Sequence, residues 1–345
     1  MHIGTKDAHM GHGMRQERLA NLTAATAIEA GFRPEISIVI PALNEADCIV
    51  QTLCAVDGQA RSLARSHEII LVDDGSTDDM LARAQTLTHQ LPLTTIRLSR
   101  NFGKEQAMMA GLAQARGDAV ILLDADLQEP VDAMAVMVAH WRAGWDMAYA
   151  VRAHRQDESR LKRGLTRAFY RLINAGADAP IPEDARDFRL MDRRVVDALL
   201  ALPERNRFMK GLYGWVGFRA IPVPVELAPR IDGVSKFGIK NLFRLALTGM
   251  TAFTSWPLRV WTSVGLAVSI LALGYGGYLG LRTLIFGHDV PGWSTLAVGM
   301  FLLGGVQLFS IGVLGEYLAR IFTEVKGRPG YIIAEMRRPQ AEMIE

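Results

Sequence analysis

Short apolar runs alternate with longer polar segments through the first half of the chain. A helical stretch from Ala46 to Ser66 separates the first two runs. Runs of this length are typical of buried strands, and their alternation with helices predicts a doubly wound α/β fold with a mostly parallel sheet. The predicted strands are Ile36–Ile40, Ile69–Val72, Thr95–Leu98, Val120–Leu123 and Asp146–Val151. Ser76 or Thr77 is expected to cap the helix that follows the second strand.

Two much longer apolar stretches lie in the last third of the chain. No charged residue occurs from Val260 to Leu281 or from Gly292 to Gly315. A helix needs about 20 apolar residues to cross a bilayer, so both stretches predict transmembrane helices. The alternative is a helical hairpin buried in a large soluble core. The first stretch is rich in glycine, which permits close helix packing and is compatible with a homo-oligomer.

The charges around these stretches predict their orientation. The turn between them, 287–291, has no Lys or Arg, whereas Arg259 and Arg320 lie on the outer flanks. The positive-inside rule then places both flanks in the cytoplasm, which predicts a multi-pass protein of the inner (cytoplasmic) membrane with its α/β domain on the cytoplasmic side.

A cationic amphipathic segment, Lys236 to Trp256, precedes the first stretch. We expect it to lie along the membrane surface, the alternative being a helix packed on the α/β domain. The chain is thus predicted to consist of a flexible tail (1–34), an α/β domain (35–230), interfacial helices (231–258), two transmembrane helices (259–320) and a cytoplasmic tail (321–345).

Acidic residues follow the predicted strands. In a doubly wound sheet, ligands bind at the carboxyl ends of the strands, and Asp73, Asp74, Asp124 and Asp126 all fall there. Carboxylates are the ligands that Mg²⁺ or Mn²⁺ prefers, and such an ion can clamp a diphosphate. Each acidic pair taken alone is also typical of a solvated turn. The formal net charge of +2 argues against a dedicated nucleic-acid binder.

Five motifs occur in a characteristic order between Ile36 and Ile332. They are PALNE, VDDGSTDD, SRNFGKEQAMMAGL, DADLQEP and DFRLMDRR. In order and spacing they resemble family 2 glycosyltransferases of the dolichol-phosphate mannose synthase and bacterial polyprenyl-phosphate type. The resemblance implies a GT-A nucleotide-sugar domain and an inverting transfer of a sugar from a nucleotide to polyprenyl (undecaprenyl) phosphate, for modification of cell-surface glycans.

The resemblance also implies roles for particular residues. Asp124 and Asp126 would hold the metal ion, and Asp126, Asp187 and Arg152 would be catalytic. Substrate binding is implied for Pro41, Leu43, Glu45, Asp73, Asp74, Gly103, Lys104, Asp124, Gln128, Arg230, Ser235 and Lys236.

The role of Asp187 stays open between a general base and an organiser of the metal site. Because the second pKa of a phosphate is about 6, the acceptor is already largely ionised at pH 7. The acceptor therefore needs positioning and charge neutralisation more than deprotonation, which favours the organising role.

The motifs do not specify the sugar. UDP-glucose is the first choice, followed by UDP-N-acetylglucosamine or a related UDP-sugar and then GDP-mannose. The alternative functions are a processive polysaccharide synthase, whose Q-x-x-R-W segment is missing here, and a non-catalytic scaffold or flippase partner that has lost its transferase activity.

Overall fold

The computed structural model describes residues 33–153, 185–205, 207–226, 256–286 and 292–339. Three parts of the prediction lie outside these ranges. They are residues 1–32 of the predicted tail, the interfacial segment before Trp256, and the candidate residues Arg230, Ser235 and Lys236.

The described residues form one eight-stranded sheet with the order β7-β5-β6-β4-β1-β2-β3-β8. Strands β3, β2, β1 and β4 are parallel, whereas β6 is antiparallel to both of its neighbours and β8 is antiparallel to β3. The predicted mixed, mostly parallel α/β fold is confirmed. The strands are β1 Ile36–Ala42, β2 His67–Asp73, β3 Leu93–Leu98, β4 Ala119–Leu122, β5 Met147–Arg152, β6 Ala185–Asp192, β7 Ala220–Val225 and β8 Ile333–Arg337.

Helices cover both faces of the sheet, which explains why β1 is apolar at nearly every position. Ile38 belongs to the buried cluster on one face and Val39 to the cluster on the other, because successive side chains of a strand point in opposite directions. The helices are α1 Ile49–Leu63, α2 Met80–Gln85, α3 Lys104–Gln114, α4 Ala133–Arg142, α5 Arg193–Ala201, α6 Met209–Trp215, α7 Trp256–Phe286 and α8 Trp293–Val325.

Helix α2 begins later than the sequence suggests. Ser76 and Thr77 look like helix caps, but the helix starts at Met80, and neither residue caps it. The backbone N–H of Ser76 donates to Asp73, and that of Thr77 donates to Asn44. The prediction of a Ser76 or Thr77 cap was wrong because these residues join two loops instead.

Helices α7 and α8 are long and apolar enough to cross a membrane. The candidate spans run over Gly265–Phe286 and Leu302–Val325, and their side chains are not buried by the rest of the protein. This exposure disfavours the alternative of a hairpin inside a soluble core.

The segment after α8 returns to the eight-stranded sheet. Near the end of α8, Glu324 accepts a hydrogen bond from the backbone N–H of Arg205 at 3.1 Å. Strand β8 then pairs with the edge of β3, and the N–H of Ser99 donates to the carbonyl of Ile332 at 2.9 Å. The sequence predicts a cytoplasmic tail over 321–345 and gives no signal for β8.

Gly111 allows α3 to pack closely on the sheet. A Cβ atom at this position would lie 2.3 Å from Cγ1 of Val39 and 3.1 Å from Cγ2 of Val72. We therefore expect Gly111→Ala to destabilise the protein by about 1–3 kcal/mol through overpacking, measured as a lower thermal unfolding temperature of the full chain in detergent.

Gly58, in α1, is the matched control because a Cβ atom there meets nothing within 4 Å. Gly58→Ala should stabilise the protein by roughly 0.5–1 kcal/mol, since alanine has the higher helix propensity. Equal unfolding temperatures for the two variants would contradict the packing argument.

Candidate active site

A cleft of about 320 Å³ opens at the carboxyl ends of the central strands. The loops after β1, β2, β3 and β4 all reach it, as expected for parallel strands that end at one edge. It is lined by Pro41, Ala42, Leu43, Glu45, Asp74, Asn101, Gly103, Lys104, Ala107, Asp124, Ala125 and Asp126.

The antiparallel pairing of β4 with β6 brings two distant acids together. Leu122 pairs with Arg189, so the chain two residues beyond Leu122 faces the chain two residues before Arg189. These positions are Asp124 and Asp187. The ammonium group of Lys104 bridges them, with Nζ 2.7 Å from an oxygen of each carboxylate.

Asp74 fixes the loop that presents Lys104. Its two carboxylate oxygens accept hydrogen bonds from the backbone N–H groups of Phe102 at 2.7 Å and of Gly103 at 2.9 Å. Gly103 has a φ of +97°, a conformation that side-chain-bearing residues rarely adopt. Helix α3 begins at the next residue, so this loop determines where the ammonium group lies.

Helix α1 fixes the backbone between the two acids of the Asp-Ala-Asp motif. The carbonyl of Ala125 accepts a hydrogen bond from Oγ1 of Thr52 at 2.7 Å and a second from Sγ of Cys48 at 3.3 Å. The N–H of Gln128 donates to Asp126 at 3.2 Å, and Leu127 has a φ of +52°. The turn is therefore held in a strained shape that exposes the Asp126 carboxylate to the cleft.

Negative charge is in excess around Asp124. The carboxylates of Asp124 and Asp187 share the ammonium group of Lys104, and the carboxylate of Asp126 adds its negative charge near Asp124. Burial raises the pKa of Asp124 even though Lys104 opposes the shift. Burial also acts to raise the pKa of Asp187, but Lys104 and Lys210 outweigh it, and this pKa is lowered.

Glu45 belongs to the same cluster of charges at the cleft. Burial raises its pKa, and the neighbouring carboxylates of Asp126, Asp78 and Asp124 raise it further. This edge of the cleft therefore disfavours additional negative charge unless a cation accompanies it.

The structure adds charged residues that sequence reasoning missed. Glu129 is 1% exposed and forms an ion pair with Arg186 at 2.8 Å, next to Asp187. The guanidinium of Arg189 lies 3.3 Å from the ring centre of Tyr213 and donates to the carbonyl of Asp187 at 3.3 Å. Arg189 belongs to the DFRLMDRR motif and Glu129 to DADLQEP, but their partners Tyr213 and Arg186 could not be identified without the tertiary structure.

Most of the site residues expected from the sequence lie around the cleft. Gln128 is buried beside Asp126, and Asp187 joins the cleft through Lys104. The others that line the cleft are Pro41, Leu43, Glu45, Asp74, Gly103, Lys104, Asp124 and Asp126.

Two expected residues lie apart from the cleft lining. Asp73 is 1% exposed, and its oxygens face the N–H of Ser76 at 2.7 Å and the guanidinium of Arg97 at 3.6 Å. Arg152 is the last residue of β5, at the same edge of the sheet. Their predicted roles in substrate contact and catalysis stay predictions.

Comparison with known proteins identifies the family. Residues 37–200 match the family described as Glycosyl transferase family 2, and residues 256–321 match the GtrB C-terminal hairpin. The SfII prophage-derived bactoprenol glucosyl transferase of Shigella flexneri is 44% identical over 305 residues, covering 88% of this chain and 99% of the relative. The chain belongs to glycosyltransferase family 2.

Two further proteins are similar to this chain over most of its length. A prophage bactoprenol glucosyl transferase homolog of Escherichia coli K12 is 42% identical over 88% of this chain and 100% of its own length. One solved structure is that of the mannosyltransferase PcManGT from Pyrobaculum calidifontis in complex with GDP-Man and Mn²⁺. It is 19% identical to this chain with a TM-score of 0.43, and the match covers 92% of this chain and 94% of that chain. The resemblance drawn from the five motifs is confirmed, and this family 2 protein is a glycosyltransferase.

Glu105, next to Lys104, provides a pH-dependent test of the site's burial. Burial raises its pKa from an ordinary 4.5 to about 7. Above pH 7 the Glu105 carboxylate is ionised and buried in the folded protein, whereas in the unfolded chain it is ionised in water. The free energy of unfolding therefore falls as pH rises from 4.5 to 7. Glu105→Gln should therefore be more stable than wild type by about 1–2 kcal/mol at pH 8, with little difference at pH 4.5.

Glutamine keeps an oxygen that accepts the hydrogen bond from the N–H of Met209, so the variant isolates the charge. Thermal unfolding at the two pH values gives the result, with Glu204→Gln as the exposed-carboxylate control. A stability difference that does not change with pH would contradict the assignment.

Proposed function

We propose that this enzyme transfers glucose from UDP-glucose to the phosphate of a polyprenyl (undecaprenyl) lipid, giving a lipid-phosphate sugar for modification of cell-surface glycans. The observation that carries the proposal is the cluster of Asp124, Asp126 and Asp187 held by Lys104 at the cleft. The relatives named bactoprenol glucosyl transferase, which extend through both candidate spans, support the lipid acceptor. The synthase and scaffold alternatives are not favoured.

The residues present fit a divalent cation. Asp124 and Asp126 line the cleft together with Glu45 and Asp74, and the carboxylates of Asp187 and Asp126 act on Asp124 against the ammonium group of Lys104. The described residues do not bring three potential ligands to one point, so the other positions would go to diphosphate oxygens and water, as is usual for Mg²⁺. When bound, Mg²⁺ or Mn²⁺ supplies positive charge to the diphosphate that leaves.

The protein's own residues orient the two reactants. Pro41 and Leu43 border the nucleotide side of the cleft, and the Asp74-held loop places Lys104 at its centre. An oxygen of the lipid phosphate attacks the anomeric carbon as the bond from that carbon to the diphosphate breaks. Asp187, ionised and paired with Lys104, organises the cations rather than removing a proton.

The same proposal includes the location of the enzyme. Helices α7 and α8 would anchor it in the inner membrane with both helix flanks and the catalytic domain in the cytoplasm, where nucleotide sugars are made. Glycine positions along α7 would allow a homo-oligomer.

Asp126→Asn tests the catalytic assignment. The variant should stay folded and membrane-bound while kcat/KM falls at least about 100-fold, because the amide cannot replace the carboxylate as a metal ligand. The assay is transfer from a panel of UDP-glucose, UDP-N-acetylglucosamine and GDP-mannose to undecaprenyl phosphate, with Mg²⁺ or with a chelator.

Asp118→Asn is the control, since Asp118 pairs with Arg33 at the opposite edge of the sheet. It should retain wild-type activity. Full activity of Asp126→Asn would remove the metal role of Asp126, and no transfer by wild type from any donor would refute the proposed function.

The stereochemistry of the product is a second test. Direct displacement inverts the anomeric carbon, so an α-linked UDP-sugar should give a β-linked lipid phosphate. The anomeric coupling constant in the NMR spectrum of the product measures this, and an α-linked product would exclude a single displacement.

A further inference from the structure

One cation near the active site lacks a partner in the described part of the chain. Lys210, in the first turn of α6, is partly buried and makes no hydrogen bond or ion pair with any described residue. Burial lowers the pKa of Lys210, whereas the carboxylate of Asp187 opposes that shift. An ammonium group held away from water is costly unless an anion accompanies it.

The neighbouring cations are already engaged. Lys104 is shared between Asp124 and Asp187, and Arg186 is paired with Glu129. Arg189 packs over Tyr213 and donates to backbone carbonyls. Among Lys104, Arg189 and Lys210, whose charges act on Asp187, Lys210 is thus the one that makes no hydrogen bond or ion pair with a described residue.

Lys210 does not line the cleft. Its charge acts on Asp187, which Lys104 joins to Asp124, whereas the pKa of Glu45 responds to Asp126 and Asp124. A ligand that fills the cleft therefore leaves Lys210 available to a second anion.

The segment that carries Lys210 is in contact with the end of a candidate membrane span. The N–H of Arg205 donates to Glu324 of α8 at 3.1 Å, and its carbonyl accepts from the side chain of Gln106 at 2.8 Å. The N–H of Met209 then donates to Glu105 at 3.1 Å. Arg205 and Met209 thus connect the chain before Lys210 to the end of α8 and to the first turn of α3, which bears Lys104.

We infer that Lys210 binds the phosphate group of the lipid acceptor and positions it beside Asp187, an inference that rests on the proposed function. A lipid-borne phosphate reaches the site from the membrane helices, and the segment bearing Lys210 lies against the end of α8. The phosphate is the anion that the partly buried ammonium group of Lys210 lacks. One of its oxygens accepts a charge-assisted hydrogen bond from that ammonium group. The donor diphosphate has the same chemistry, but the cleft proposed for it, which includes Pro41, Leu43 and Asp74, is not lined by Lys210.

The test compares lipid binding and donor binding in Lys210→Met, which keeps the length of the side chain and removes its charge. Undecaprenyl phosphate in detergent micelles is titrated with the full chain and followed by ³¹P NMR, with undecaprenol as the uncharged competitor. Lys210→Met should weaken binding of the lipid phosphate roughly 10- to 100-fold, the loss of one charge-assisted hydrogen bond, and Lys210→Arg should restore most of it.

Two controls separate this result from other causes. Arg61→Met removes an exposed cation on α1 and should leave lipid binding unchanged. Calorimetric binding of UDP-glucose with Mg²⁺ should be the same for wild type and Lys210→Met. In the transfer assay, the KM for the lipid should rise while the KM for the donor stays constant.

The outcomes distinguish this inference from the proposed function. Unchanged lipid binding in Lys210→Met, or weakened donor binding in its place, overturns the role of Lys210 even when wild type transfers sugar normally. If wild type binds the lipid phosphate through Lys210 but transfers no sugar, the proposed function fails and the binding role stands.

Discussion

The contact on which the site depends is the double ion pair of Lys104 with Asp124 and Asp187. It joins three parts of the chain that are far apart in sequence: the loop after β4, the start of β6 and the start of α3. Two carboxylates this close would repel each other without a cation between them. The antiparallel β4–β6 pairing, which brings Asp124 and Asp187 together, therefore depends on the position of α3, which places Lys104 between them. The Asp74-held loop and the close packing at Gly111 orient Lys104, and they therefore determine the arrangement of charges at the proposed catalytic site.

The central strands and the acids behind them could be predicted because they depend on local patterns. Ile36–Ile40 is apolar at every position except Ser37, and Val120–Leu123 is apolar throughout. Because the carboxyl ends of parallel strands meet at one edge, Asp74, Asp124 and Asp126 were expected at a common site. Lys104 was expected near the nucleotide. Its ion pair with Asp187 was not expected, because that contact arises from β6, an antiparallel strand inserted between β4 and β5.

Other features depend on distant partners and were missed for that reason. Ser76 and Thr77 have the composition of helix caps, but Asp73 and Asn44 bind their backbone N–H groups. Glu129 looks like a surface acid after a turn until Arg186 is brought next to it. Strand β8 is short and follows two apolar helices, so its partner β3 is separated from it by more than half of the chain.

Strand β8 has a consequence for the order in which the protein is made. The ribosome synthesises β3 early and β8 last, after the two apolar helices of the hairpin. Until then β3 is an open edge with unpaired backbone groups, the kind of surface on which chains aggregate. Completion of the catalytic sheet thus waits for the hairpin to leave the ribosome, which couples maturation of the nucleotide domain to delivery of the chain to the bilayer.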